Sequence, residues 1–144
     1  MPLIVNEIIG FEQNSDLEIP LFESKIAAGF PTPTDDFVDR KIDLNRHIVQ
    51  NPQDTYFVRV GGDSMINAGI YDGDILVVDR KVVVREGKIV IADLDGELTV
   101  KRLNRINGKL HLVAENPDYP PISISPECSF QVWGVVTYVI HQPK

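Results

Sequence analysis

Cysteine is nearly absent from this chain, which has only Cys128 among its 144 residues. A lone cysteine cannot form an internal disulfide, and no second cysteine completes a zinc-ligand spacing such as CxxC. The sequence is therefore compatible with a reducing compartment. We expect it to hold no metal and no cofactor.

Basic residues and long apolar runs are also scarce. The net charge is -7, which argues against the broad basic surface that supplies most of the affinity for nucleic acid. No apolar run approaches the roughly 20 residues that cross a bilayer. The N-terminal residues include acids where a signal peptide carries basic residues. We expect a cytoplasmic protein with no membrane contact and no direct nucleic-acid binding.

The residues that are present suffice for one main domain, because 43% of the chain is hydrophobic and a chain of this length can bury a real core. Residues 1–36 mix prolines, glycines and acids with short apolar clusters, too little for an independent core. They are predicted to form a mobile N-terminal arm. Residues 37–144 are dense in strand signals and are predicted to form a β-rich domain.

Short β-rich runs predict a mainly β, compact antiparallel fold. Asp95-Gly96 and Asn107-Gly108 are the strongest turn signals, since these dipeptides favour tight hairpins. One short helix is predicted in "DLNRHIVQNP", with Asp43 as its cap and Pro52 ending it. The predicted strands are "TYFVRV", "DILVVD", "GKIVIADL", "ELTVKRL", "KLHLVAE", "PISIS" and "FQVWGVVTYVI".

One serine, Ser64, lies behind two glycines in "VGGDSMINAGIYDGDILVVD". A serine hydroxyl is a poor nucleophile until a base removes its proton, and histidine is the usual base. The three histidines have unfavourable contexts: a polar helical stretch for His47, a predicted sheet surface for His111 and the chain end for His141. A solvated histidine is the simpler interpretation of each.

Lysine can replace histidine as the base when burial lowers its pKa towards neutrality. Lys101 is the lysine embedded in apolar sequence, "LTVKRL", and Thr99 on the same strand face could orient its amine. Simpler interpretations remain open: Lys101 as a strand lysine that reaches solvent, Thr99 as a β-branched strand former and Ser64 as a turn residue.

The residues around Ser64 suit a turn that exposes the serine. Gly61 and Gly62 permit a tight turn, which leaves the backbone N–H groups of Asp63 and Ser64 free to form an oxyanion hole. Met65 is expected to pack beneath this turn. The "DGD" motif, residues 72–74, is expected to form the turn into the next strand.

A segment of small residues, "KIAAGFPTPTDDF", precedes the domain. Its prolines oppose helix and favour extended backbone. An extended segment of small residues, here Ala28 and Gly29, is what a protease cleft accepts.

Four motifs, "AAGF", "GDSM", "DGD" and "GKIVIADLDGELTVKRL", occur in the order found in the LexA/UmuD family of self-cleaving Ser-Lys peptidases, which the chain resembles from about Leu21 to near its end. The resemblance implies that Ser64 is the nucleophile, Lys101 the neutral general base and Ala28-Gly29 the scissile bond. It also implies that residues 37–144 form a peptidase and dimerisation domain.

The short arm before the Ala-Gly pair is similar to that of the UmuD branch. This implies an SOS-response homodimer that contacts a RecA filament on single-stranded DNA, cuts its own arm and joins a Y-family translesion polymerase of the UmuC type. The sliding clamp is a further candidate partner. Two alternatives remain, a LexA-like or phage-type repressor domain lacking its DNA-binding half, and a non-catalytic β-rich adaptor. A signal peptidase ranks last, since it would need a membrane anchor.

Overall fold

The computed structural model describes residues 1–11, 18–22 and 38–144, with side chains described for 1–11 and 41–144. It divides into two compact units. The larger unit comprises residues 1–11 and 51–144, and the smaller comprises residues 12–50.

The described elements are ten strands, one α-helix and two 3-10 helices of three residues each, at Pro52–Asp54 and Ile66–Ala68. In chain order they are β1 (Ile4–Gly10), β2 (Glu18–Phe22), β3 (Val38–Asp43), α1 (Leu44–Ile48), β4 (Thr55–Gly61), β5 (Ile75–Asp79), β6 (Ile89–Leu94), β7 (Glu97–Ile106), β8 (Lys109–Val113), β9 (Ile122–Ser123) and β10 (Phe130–Ile140).

The larger unit is one eight-stranded sheet in the order β1-β4-β5-β10-β6-β7-β8-β9. All of its pairings are antiparallel. The first strand, β1, pairs with β4 and also, through Ile4 and Thr99, with β7. The mainly β, antiparallel fold predicted from the sequence is confirmed.

Tight turns connect the hairpins where the sequence predicted them. Asp95 and Asn107 both adopt positive φ, 51° and 52°, and each is followed by a glycine with positive φ. A two-residue turn with positive φ at both central residues is of type I′, whose backbone twist matches the right-handed twist of the flanking strands. The predicted run "PISIS" forms only the two-residue strand β9.

The smaller unit pairs β2 with β3 and continues into α1. The carboxylate of Asp43 accepts a hydrogen bond from the Asn45 backbone N–H, which caps the helix as predicted. The helix ends at Ile48, four residues before the proline that was predicted to end it. Within the ranges that the structure describes, no helix is long and apolar enough to cross a membrane.

Two buried clusters form the core of the larger unit. The first contains Leu3, Met65 and Val100 with residues of β4, β5 and β6. The second centres on Val90, Leu112 and Val135. The first cluster includes Met65 and Val100, the direct neighbours in sequence of Ser64 and Lys101, so the candidate site is built against the core.

The sequence analysis placed residues 1–11 in an arm that ends at residue 36. In the structure they belong to the larger unit and contribute its strand β1. Leu3 is fully buried. The short apolar cluster at the start of the chain cannot form a core alone, but it adds a strand to a core that the later residues supply. The predicted scissile bond, Ala28-Gly29, lies outside the described residues.

Candidate active site

The loop after β4 carries the serine. The Gly62 backbone adopts φ 114°, and its N–H donates to Asp72 Oδ1 at 2.9 Å. This contact links the loop to the "DGD" turn, where Gly73 also has positive φ. Ser64 is held in the loop with its side chain fully buried.

Lys101 lies on β7 opposite this loop. Its side chain is 4% exposed, and its Nζ donates to Ser64 Oγ at 3.0 Å. The second partner of Nζ is Thr99 Oγ1, at 3.4 Å. The fold therefore brings together three residues that the sequence analysis singled out, although 37 positions separate the serine from the lysine.

Burial lowers the pKa of Lys101 below its ordinary value, against an opposing effect of the Glu97 carboxylate. Desolvation penalises the ammonium form because a low-dielectric surrounding cannot replace water around the charge. A neutral amine within hydrogen-bond distance of a serine hydroxyl can accept its proton. This arrangement has the chemistry of a nucleophile with an adjacent base.

The backbone N–H of Asp63, one of the predicted oxyanion donors, donates to Met1 O at 2.9 Å. The Asp63 carbonyl accepts from Asn116 Nδ2 at 3.0 Å. The Asn116 side chain, from the segment after β8, therefore helps to hold the Asp63 backbone in place. The Ser64 N–H is the second predicted oxyanion donor.

The Asp63 side chain forms a small polar cluster at the edge of the site. Its Oδ1 accepts from the Tyr119 hydroxyl and from the Met1 amino group. The Tyr119 hydrogen bond, helped by the amino group, lowers the pKa of Asp63. The same bond raises the pKa of Tyr119 to about 12.

The first residues of the chain lie directly against the serine and lysine. The Leu3 N–H donates to Ser64 Oγ at 2.8 Å. Leu3 O accepts from the Thr99 hydroxyl at 2.9 Å and from the Val100 N–H at 3.2 Å. Sequence reasoning missed these contacts, because nothing in "MPL" signals a partner some 60 positions away.

The other candidates have separate surroundings. His111 Nδ1 contacts Lys109 O, and His141 Nδ1 contacts Asp74 Oδ1, so the described partners of both rings are groups other than Ser64. His47 belongs to the smaller unit.

Met65 is fully buried, and its Sδ accepts from the Glu115 N–H at 3.3 Å, so it packs beneath the loop. Asn116 and Tyr119 are site-edge residues that the sequence analysis missed.

Replacing Gly62 with alanine is expected to destabilise the larger unit by about 2–4 kcal/mol, combining backbone strain at positive φ with a steric clash. A Cβ on Gly62 would lie 2.1 Å from Pro2 O. Gly69→Ala is the matched control, because Gly69 has φ 80° with nothing within 4 Å of its Cβ position. Urea unfolding of both variants separates clash from strain. Equal losses would show that the contact with Pro2 is not formed.

The chain matches the family model described as "Peptidase S24-like" over residues 20–137. It therefore belongs to this peptidase family, and the resemblance to the LexA/UmuD family is confirmed.

Several curated proteins are similar to most of this chain. The protein ImpA of Escherichia coli is 42% identical over 131 residues, covering 87% of this chain and 85% of ImpA. The protein SamA of Salmonella typhimurium is 43% identical, covering 87% and 86%. The LexA repressor of Paracidovorax citrulli is 40% identical, covering 88% of this chain and 55% of the repressor.

Proposed function

We propose that the chain is a serine endopeptidase that cuts its own N-terminal arm between Ala28 and Gly29, with Ser64 as nucleophile and Lys101 as general base. The observation that carries this proposal is the 3.0 Å contact between Lys101 Nζ and Ser64 Oγ at a buried site. Membership of the S24-like family supports it.

In the proposed reaction, neutral Lys101 takes the proton of Ser64 Oγ as the oxygen attacks the Ala28 carbonyl carbon. The oxyanion is stabilised by the N–H groups of Asp63 and Ser64. When the intermediate collapses, the C–N bond breaks and the Lys101 ammonium returns its proton to the Gly29 amine. Lys101 then deprotonates a water molecule that attacks the acyl-serine; the ester C–O bond breaks, Ser64 Oγ takes the proton from Lys101, and the Ala28 carboxylate is released.

Thr99 is assigned a positioning role in this reaction. Its hydroxyl oxygen lies 3.4 Å from Lys101 Nζ and accepts from it. An acceptor at this distance restrains the amine whether or not the Thr99 proton is donated to Leu3 O. Thr99 therefore restrains the amine near Ser64 without taking part in proton transfer.

We further propose that self-cleavage serves the SOS response. In this proposal the cytoplasmic homodimer is stimulated by a RecA filament on single-stranded DNA, and the cleaved dimer becomes an accessory subunit of a UmuC-type Y-family polymerase. The resemblance to the UmuD branch supports this, as do relatives matched over most of their own length. The net charge of -7 is consistent with DNA contacts belonging to the partners.

The test is intact-mass analysis of the purified chain after incubation at alkaline pH, and separately with RecA filaments at neutral pH. The proposal requires two products, residues 1–28 and residues 29–144, and co-purification of the larger one with a UmuC-type polymerase. A chain that stays uncut with and without filaments would favour the non-catalytic adaptor. Cleavage without polymerase binding would favour the repressor-domain alternative.

A further inference from the structure

The strand β1 lies in the space between β4 and β7, which we call the strand groove. It pairs with β4 from Ile4, opposite Gly61, to Gly10, opposite Tyr56. Its first residue also pairs with Thr99 of β7. The segment Met1–Gly10 therefore runs beside the strand that precedes Ser64, and at Leu3 and Ile4 it also contacts the strand that carries Lys101.

The backbone of the first three residues engages the groups that a substrate would need. Met1 O accepts from the Asp63 N–H, a proposed oxyanion donor. The Leu3 N–H donates a hydrogen bond to Ser64 Oγ at 2.8 Å. A scissile carbonyl cannot approach Ser64 and the Asp63 donor while these contacts are in place, because both groups are already engaged.

The side chain of Leu3 shows that the strand groove is built to hold a peptide. It is fully buried, in a cluster with Met65, Val60 and Val100. Gly62, with no Cβ, allows Pro2 O to approach closely. The groove therefore combines an aliphatic pocket with backbone partners on both sides, as in sites that bind an extended peptide by strand addition.

We propose that the strand groove is a peptide-binding site whose resident ligand is the chain's own segment Met1–Gly10, and that the scissile segment reaches Ser64 only after this segment has left. The proposal rests on the proposed self-cleavage. The cleavage rate then scales with the fraction of molecules in which the segment has departed. An open cavity of about 1170 Å³ borders Pro2, Ile4 and Asn6 on one side, which gives the segment room to move.

The first test locks β1 onto β4. Glu7 and Arg59 are opposed residues with exposed side chains, and opposed residues of antiparallel strands lie within disulfide range. The double variant Glu7→Cys/Arg59→Cys is made in a Cys128→Ser background. The exposed Glu7–Arg59 ion pair contributes little. The bond from Arg59 Nη1 to Gly73 O is lost in the oxidised and the reduced protein alike, so the reduced double variant is the matched reference.

The oxidised double variant is expected to self-cleave at least tenfold more slowly than the same protein after reduction. The Cys128→Ser background alone should cut at one rate in both conditions. Equal rates for the locked and reduced double variant would overturn the proposal. If the background chain is never cut, even with RecA filaments, the proposed function fails, and the strand groove is then judged by the second test.

The second test deletes residues 2–10 and adds back a synthetic peptide of residues 1–11. If the deletion variant folds, the peptide should bind saturably and slow any cleavage at least tenfold. If it does not fold, the peptide should restore the circular dichroism spectrum and cooperative melting. A matched peptide carrying Leu3→Asp should do neither, since it cannot enter the aliphatic pocket. No effect of the native peptide, or equal effects of both peptides, would overturn the proposal.

Discussion

Replacing Ser64 with alanine is expected to leave the chain uncut under alkaline conditions that convert the wild-type chain to residues 29–144. Without Oγ no acyl-serine forms, and loss of a nucleophile of this kind lowers the rate by at least about 10³-fold. Intact-mass spectrometry over a time course measures the loss directly. Ser123→Ala, on the short strand β9, is the matched control and should cut at the wild-type rate.

The Ser64 variant also needs a stability control, because Ser64 Oγ accepts the buried Leu3 N–H. Leaving that donor unsatisfied is expected to cost about 1–3 kcal/mol. Thermal melting must therefore show that Ser64→Ala is folded at the assay temperature. A folded Ser64→Ala chain that still produces a fragment beginning at Gly29 would assign the cleavage to another nucleophile.

Local sequence signals predict the strands β4 to β8 and β10 well. Each is a short β-branched or apolar run, and the turns at Asp95-Gly96 and Asn107-Gly108 require residues that tolerate positive φ. These signals lie within a few residues of the structure they specify. The strand β1, IVNEIIG, is also a β-branched run, but no nearby residue signals its pairing with β4 and β7, which follow it by about 50 and 95 positions.

The candidate site divides in the same way. The apolar context of Lys101 predicts a buried amine, and the glycines before Ser64 predict a tight loop; both features are present in the structure. The family motifs, not local patterns, predicted that the two residues would meet. Occupation of the site by Leu3, and the contacts of Asn116 and Tyr119 with Asp63, depend on tertiary packing, so no short motif encodes them.

Self-cleavage without a partner is expected to accelerate with pH until Lys101 is neutral. Burial lowers the pKa of Lys101, so the neutral base becomes populated below the ordinary lysine range. Below that lowered pKa the neutral fraction rises about tenfold per pH unit, and the rate should follow it before reaching a plateau. Measuring the cleavage rate at closely spaced pH values, in buffers of constant ionic strength, tests this dependence.

The Lys101→Met variant separates the base from its buried surroundings. Methionine keeps an unbranched apolar chain in the cluster but offers no proton acceptor of useful basicity, so cleavage should fall by at least about 10²-fold and lose its rise with pH. Lys88→Met, at an exposed position, is the control and should keep the wild-type profile. A folded Lys101→Met chain that cuts with an unchanged profile would show that another group accepts the Ser64 proton. A residual cleavage rate that is lower and no longer rises with pH would identify Lys101 as the group that accepts the Ser64 proton. A purely structural role of Lys101 would lower the rate without removing its pH dependence.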